Sequence, residues 1–412
     1  MPEQARALVK CDERGPEVTW NFPTDRLEKR QALLDAVESV RAVVLSCADD
    51  AEEQATLPQA SVDALEQAGL FALKLPTEFG GAEADPVTQI EVIEAMAMYD
   101  SAAAWSMMIG ATNIALPAVM LPDEAVVQIF AGGNVPRAAG VGMPSGVAMP
   151  VNGGYVVSGR WRFASGIKHS QWLSAGVRVE DGMSGLSEIR RAVFPTEKAR
   201  IADDWQVSGL KGTGSNGFTV GDLFVPEEFT WLMSDPPRRG GAIYLLGRSG
   251  FVANEHAAIA LGLARRALNA IVELAQSKLR GSTSKTLIAD RASFQRAIGE
   301  SDLRLRAVRA LVMETFEGAW DVVCQGSAPD PQLQTQMRGC ATLATDVAVE
   351  VTSMAFRYGG GEALYMGGEL QRCHRDMDAA AQHLFVSDVV YENLGKFALG
   401  LPDVVDMTGD VR

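Results

Sequence analysis

The chain contains four histidines, His169, His256, His374 and His383. His383 closes an alanine-rich, helix-like run, and its imidazole can donate or accept a hydrogen bond and exchange a proton near neutral pH. Asp376 and Asp378, earlier in that run, are neighbours that could satisfy it structurally. Ser165 sits in a Phe163-Ala164-Ser165-Gly166 turn after a strand-like segment. A serine there either bonds its own backbone or presents a hydroxyl to a ligand without bulk in the way. His169 reads as a loop or strand-start residue and His256 as a structural residue of a helix face. No HxxxH or HxH spacing occurs, so no metal-ligand set is expected. Gly212-x-Gly214-x-x-Gly217 has the spacing of a dinucleotide fingerprint, but that fingerprint needs a helix after it and a β-rich run follows here. Gly359, Gly360 and Gly361 either end a helix or let backbone approach a cofactor.

The elements that must carry these residues fall into three blocks after an N-terminal extension, residues 1–24. Residues 25–131 read as helical: Leu33, Val37, Val40 and Val44 recur at helical spacing, Ser61 is a candidate cap for a second helix, and further helices are expected over Pro86 to Tyr99 and Ser101 to Met120. Residues 132–237 read as β-rich, with strands expected at Tyr155 to Val157, Trp161 to Phe163, Trp172 to Val179, Arg191 to Phe194 and Phe218 to Val225. Residues 238–412 are helical again, with Ala260, Leu263, Ala267, Ile271 and Leu274 on one face, Ala344, Val347, Val351 and Ala355 on another, and loops at Gly281 to Ser284 and Gly326 to Pro331.

The 412 residues exceed the roughly 250 to 300 at which a single core stops growing. With 47% apolar and 22% charged residues the chain is neither disordered nor fibrous. Its net charge of −15 offers no basic field for nucleic acid or an anionic membrane, and no segment reaches the roughly 18 apolar residues of a membrane span. Cys11, Cys47, Cys324, Cys340 and Cys373 form no CxxC pair and read as ordinary buried thiols, so the reducing cytoplasm is the expected location.

Four strings together resemble the acyl-CoA dehydrogenase superfamily. They are LEQAGLFALKLPTEFGG (Leu65 to Gly81), SGRWRFASGIKHSQW (Ser158 to Trp172), WQVSGLKGTGSNGFTVGDLFVP (Trp205 to Pro226) and RYGGGEALYMGGELQRCHRDMDAAAQH (Arg357 to His383). The resemblance implies a mainly α fold with a central β-barrel domain between an N-terminal helical domain and a C-terminal bundle. The Phe-x-Ser-Gly turn, His169 and Trp172 after it, and Arg375-Asp376 with His383 beyond them are similar to the branch of reduced-flavin-dependent monooxygenases. That branch implies reduced FMN or FAD from a separate reductase, O2 as co-substrate and a homotetramer. It also implies that His383 controls a proton, that Ser165 and Gly166 contact flavin beside Trp161 and Phe163, and that Trp105, Asn113 and His169 bound the substrate pocket. Arg280 and Gln295 resemble the pair that reaches a neighbouring subunit's flavin phosphates, with Gly359 and Gly360 close to the cofactor.

The alternative is an FAD-dependent acyl-CoA dehydrogenase, which needs a carboxylate to remove an α-proton. At the family's commonest position for it, counted from Arg375, stands Leu384, while Glu255 lies near a second family position. Phenol-hydroxylating members carry a histidine where this chain has Asn113, which shifts the expected substrate toward an indole, thiophene, amine or polyketide.

Overall fold

The computed structural model describes residues 20–180, 188–281 and 285–401. Five helices come first: α1 (Arg26–Gln54), α2 (Gln59–Gln67), α3 (Pro86–Ala97), α4 (Ser101–Met120) and α5 (Asp123–Ile129). Aspartates start three of them. Asp25 accepts the amides of Leu27 and Glu28, Asp85 those of Val87 and Thr88, and Asp100 that of Ala103, each using amides the first turn leaves unpaired. Ser61 caps nothing, because α2 begins after Pro58 and leaves Ser61 buried within the helix. Gly69 adopts the left-handed conformation after α2, at φ 73°. Helix α4 is long and apolar enough to cross a membrane, yet it is packed inside the fold.

Seven strands follow: β1 (Ala138–Val151), β2 (Gly154–Trp161), β3 (Trp172–Val179), β4 (Ile189–Pro195), β5 (Arg200–Ile201), β6 (Phe218–Pro226) and β7 (Thr230–Leu232). They pair in the order β5-β6-β2-β1-β3-β4-β7. The expected barrel is instead an open sheet, since no pairing among the described residues joins β5 to β7. Strand β1 lies at its centre, antiparallel to β2 and parallel to β3, and its pairing with β3 is interrupted between Val141 and Gly146. β2 stops at Trp161, so Arg162 and Phe163 leave the ladder.

Helices resume with α6 (Gly247–Ser277), a short ribbon of β8 (Leu279–Arg280) and β9 (Thr286–Leu287), then α7 (Ala292–Cys324), α8 (Pro331–Gly359), α9 (Glu369–Ala380) and α10 (Val389–Ala398). The loop expected at Gly281 to Ser284 falls in this ribbon, its residues 282–284 outside the described residues. One apolar core joins α1 to α4 with α6 to α9, and a second joins the sheet to the end of α4 and to α5. Helix α4 therefore belongs to both, and positions what lies between them. Of the cysteines, Cys340 and Cys373 are buried, but Cys47 is half-buried and Cys324 exposed, while Cys11 lies outside the described residues.

Candidate active site

Between the sheet, α4, the start of α6 and the end of α9 is a cavity of about 1530 Å³. Its walls include Trp105, Gly140 to Ser145, Phe163, Ser165, Trp205, Thr213, Ser215, Arg248, His383 and Phe385. The interruption in β1 turns Gly142, Met143, Pro144 and Ser145 out of the ladder toward it.

On one wall, four groups form a hydrogen-bonded relay. The indole Nε1 of Trp105 donates to Ser165 Oγ at 3.0 Å; Ser165 Oγ and Ser215 Oγ are 2.7 Å apart, as are Ser215 Oγ and Thr213 Oγ1. Thr213 donates to the carbonyl of Leu210 at 2.8 Å. Each hydroxyl has one proton, so this last bond fixes the others: Ser215 donates to Thr213 and Ser165 donates to Ser215. The backbone amide of Ser165 is taken by the carbonyl of Phe163 at 3.1 Å. What Ser165 keeps for the cavity is a lone pair, so it is an acceptor there rather than a donor. Phe163 stands beside it, 61% exposed and held at φ 69°, a backbone conformation that costs a bulky residue energy. Its ring meets Trp205 edge-on at 6.2 Å.

Across Trp105 is His383. It follows α9 as the cap of a short turn over Leu384–Val386, with Nδ1 accepting the amide of Phe385 at 3.3 Å, so the proton of the neutral ring resides on Nε2. Burial pushes its pKa down to about 4. Neither expected aspartate touches it: Asp376 accepts from Ser101 and the amide of Leu210, and Asp378 lies 3.8 Å from His374. His256 stacks on His383 with ring centroids 4.1 Å apart, and Trp105 meets both edge-on. His256 Nε2 is buried without a partner among the described residues, and burial, then His383, then Lys74 push its pKa well down.

Glu255 precedes His256 in the chain but turns away from the cavity. Its Oε1 is 2.7 Å from Lys74 Nζ and accepts Thr112 Oγ1 at 2.7 Å, with both ends of the ion pair fully buried. Lys74 also donates to the carbonyl of Phe251. The acid that could have served a dehydrogenase is thus sealed in an internal pair, and Leu384, at the other position, lines the cavity with an inert side chain.

Other expected site residues are elsewhere. Trp161 is fully buried inside the sheet's core, stacked on Phe218 and donating to the carbonyl of Gly176 at 2.8 Å. Gly166 has φ 74° and keeps room for the imidazole of His169, which packs behind the turn near Phe71 and does not reach the cavity. Burial, aided by Arg137, pushes the pKa of His169 down to about 4. Asn113 lies one layer behind the wall, its Oδ1 3.3 Å from Arg191 Nη2 and its amide donating to Ile109. Arg280 packs against Gly360 on the far side of the bundle; Gln295 donates to the carbonyl of Ala289, and Gly359 packs against Leu370. None of those four lines the cavity.

Sequence reasoning singled out none of Thr213, Ser215 and Trp205, although all three lie in the Trp205 to Pro226 string that carries part of the family resemblance. It also missed Arg191 and Arg248. For Arg191 a signal existed: it is the second of two consecutive arginines in β4, and strand alternation must turn one of the two inward.

The residues present fit a flavin. The exposed ring of Phe163 and the half-buried ring of Trp205 suit the face of a planar ring, Ser165 offers an acceptor to a ring N–H, and the volume exceeds the roughly 300 to 1,000 Å³ of a single small-ligand site. Family models described as "Acyl-CoA dehydrogenase, N-terminal domain" and "Acyl-CoA dehydrogenase, C-terminal domain" match residues 28–125 and 255–388. Indole-3-acetate monooxygenase of Pseudomonas putida is 30% identical over 372 residues, 90% of this chain and 93% of that protein. The oxygenase subunit HsaA of a flavin-dependent monooxygenase from Rhodococcus jostii is 27% identical, covering 86% of this chain and 95% of its own. XiaF from Streptomyces sp., solved with FADH2 and glycerol, shares the fold at a TM-score of 0.84 and 24% identity, over 92% of this chain and 98% of that one.

Proposed function

The chain belongs to the acyl-CoA dehydrogenase family, among its flavin-dependent monooxygenases, and from that premise we propose that it is the oxygenase component of a two-component system. It takes reduced FMN or FAD from a separate reductase, together with O2, and oxidises a small aromatic or heteroatom-containing substrate. When bound, reduced flavin supplies the two electrons with which one oxygen atom reaches the substrate and the other leaves as water.

One observation carries this reading: the cavity brings together a neutral imidazole donor, His383 Nε2–H, and a serine acceptor, Ser165, with no poised carboxylate between them. Ser165, fixed as an acceptor by its relay, suits the N–H that a reduced flavin ring presents. Phe163 and Trp205 hold the ring's face. His383, kept neutral by burial, donates from Nε2 to oxygen or substrate without needing to be charged. Trp105 and Phe385 exclude water around it.

We extend the proposal to a homotetramer. Exposed Leu364, Tyr365 and Met366 lie beside Gly359, Gly360 and Arg280, an apolar patch suited to a neighbouring subunit whose flavin Arg280 and Gln295 would meet. Light scattering at micromolar concentration tests the assembly. The activity is tested by supplying reduced flavin and oxygen with aromatic substrates and measuring product against hydrogen peroxide: product formation supports the oxygenase, and peroxide alone with every substrate refutes it.

A further inference from the structure

The hydroxyl relay along the cavity wall has a direction, and one backbone carbonyl sets it. Leu210 is held at φ 52°, in the left-handed region that few residues with a side chain adopt. Its amide donates to Asp376 Oδ1 at 2.6 Å, and Asp376 also accepts the hydroxyl of Ser101, so this strained turn is anchored to α9 and α4. The Leu210 carbonyl thus anchored accepts both the amide and the hydroxyl of Thr213, at 3.2 and 2.8 Å.

Two backbone bonds lock the segments that carry the other hydroxyls. Ala164 donates to the carbonyl of Asn216 at 3.2 Å, and Gly166 to that of Thr213 at 2.9 Å. Ser165, Thr213 and Ser215 all line the cavity and are all buried, so their mutual bonds, rather than bulk water, decide where each proton points. The protons run from Ser165 to Ser215 to Thr213 to Leu210, while the indole of Trp105 occupies one lone pair of Ser165. Reversing that order would make Ser165 a donor to the cavity, but Thr213 would first have to give up its bond to Leu210. The net worth of one such hydrogen bond is about three- to tenfold in an equilibrium constant.

Reduction turns a flavin ring nitrogen from a lone-pair acceptor into an N–H donor, and groups that hydrogen-bond the ring nitrogens distinguish the two forms. We infer that Thr213 and Ser215 are positioning residues that select reduced over oxidised flavin, by holding Ser165 as an acceptor. The inference rests on the oxygenase reading and names the residues that set its cofactor preference. A flavin that has given up its two electrons meets a lone pair with a lone pair at Ser165, and its hold on the site weakens.

The test titrates FMN into wild type, Thr213→Val, Thr213→Ser, Ser215→Ala and Ser165→Ala, oxidised in air and dithionite-reduced without oxygen, with tryptophan fluorescence as the readout. Wild type is expected to bind reduced FMN at least about threefold more tightly than oxidised FMN. Thr213→Val and Ser215→Ala release the Ser165 hydroxyl to donate, so each should bind oxidised FMN about three- to tenfold more tightly than wild type does, with reduced FMN little changed. Thr213→Ser keeps the hydroxyl and should keep the wild-type ratio. Ser165→Ala should lose affinity for reduced FMN with no gain for the oxidised form. The reduction potential of bound FMN should fall with the ratio, by about 30 mV per tenfold for two electrons. Structural damage weakens both forms together and does not raise the affinity for one of them. Thr213→Val and Ser215→Ala cut the relay at different bonds, so either one that folds decides the matter. Equal binding of the two forms by wild type overturns the proposal, as does an unchanged ratio or a parallel loss of both forms in a folded variant. Product from reduced FMN and oxygen with an unchanged ratio would refute the relay's role alone; the expected ratios without product from any aromatic substrate would refute the oxygenase reading alone.

Discussion

His256 and His383 stack with ring centroids 4.1 Å apart and 29° between their planes, one from α6 and the other from the turn after α9. Trp105 from α4 closes edge-on against both. His256 does not line the cavity, so it acts through His383 by setting the plane of that ring. Replacing His256 by Leu removes the aromatic face, and product per oxygen consumed is expected to fall severalfold while hydrogen peroxide rises. His256→Phe, which keeps a flat ring, should recover most of the coupling. Equal coupling in the Leu and Phe variants would show that the stack does not position His383.

The buried imidazoles give the protein an acid limit. His383 and His169 are held down to about 4 by burial, and His256 is pushed down as well. A histidine whose folded pKa lies below its unfolded value near 6.5 binds fewer protons when folded, so stability is complete above about pH 6.5 and is lost as pH falls toward 4. Each group shifted to about 4 costs on the order of 3 kcal/mol by the acid end of that window. Tm measured between pH 7.5 and 4 should drop steeply below about 6, and His169→Gln should flatten the slope. A Tm independent of pH across that window would contradict the burial of neutral imidazole.

Glu255 and Lys74 make a separate prediction. Removing one end of a fully buried pair leaves the other uncompensated, at a cost of roughly 3–5 kcal/mol. Glu255→Gln is therefore expected to lower Tm markedly while folded protein keeps its product-to-oxygen ratio. Calorimetry and coupling measured on one preparation decide this. A stable variant with abolished turnover would return Glu255 to the role of a catalytic base.

Phe163 is held at φ 69° so that its ring stands in the cavity. Phe163→Gly relieves that conformation but deletes the ring. Reduced-flavin binding should weaken about three- to tenfold, the worth of an aromatic contact, with Tm unchanged or higher. Anaerobic fluorescence titration reads the first and calorimetry the second; undiminished flavin affinity would remove Phe163 from the binding wall.

The helical parts of this architecture were open to sequence reading because their stripes repeat cleanly, as at Leu33, Val37, Val40 and Val44, all buried in α1. The central strand β1 was not. Its sequence, AAGVGMPSGVAMPV, is rich in glycine, alanine and proline, which strands disfavour. Those residues are there for close approach: Gly140 and Gly142 make room for Asn113, Arg191 and Arg248, and Gly146 for the ring of Trp161. His383 and Ser165 were visible as local motifs. The Ser165-Ser215-Thr213 relay and the His256 stack depend on contacts between distant segments, which residue spacing does not encode. Trp161 illustrates the reverse, an aromatic beside a site motif that faces the core because strand alternation turns it inward.

The most direct test of the central claim is mass spectrometry of product formed under 18O2 by wild type and His383→Ala, with reduced flavin delivered by a separate reductase. The oxygenase account predicts one 18O atom per molecule of product in wild type. It also predicts that the variant still binds reduced flavin but loses about 10²-fold or more of its product rate, with oxygen diverted to hydrogen peroxide. Product without 18O, or tightly held oxidised FAD that an acyl-CoA thioester bleaches, would contradict it.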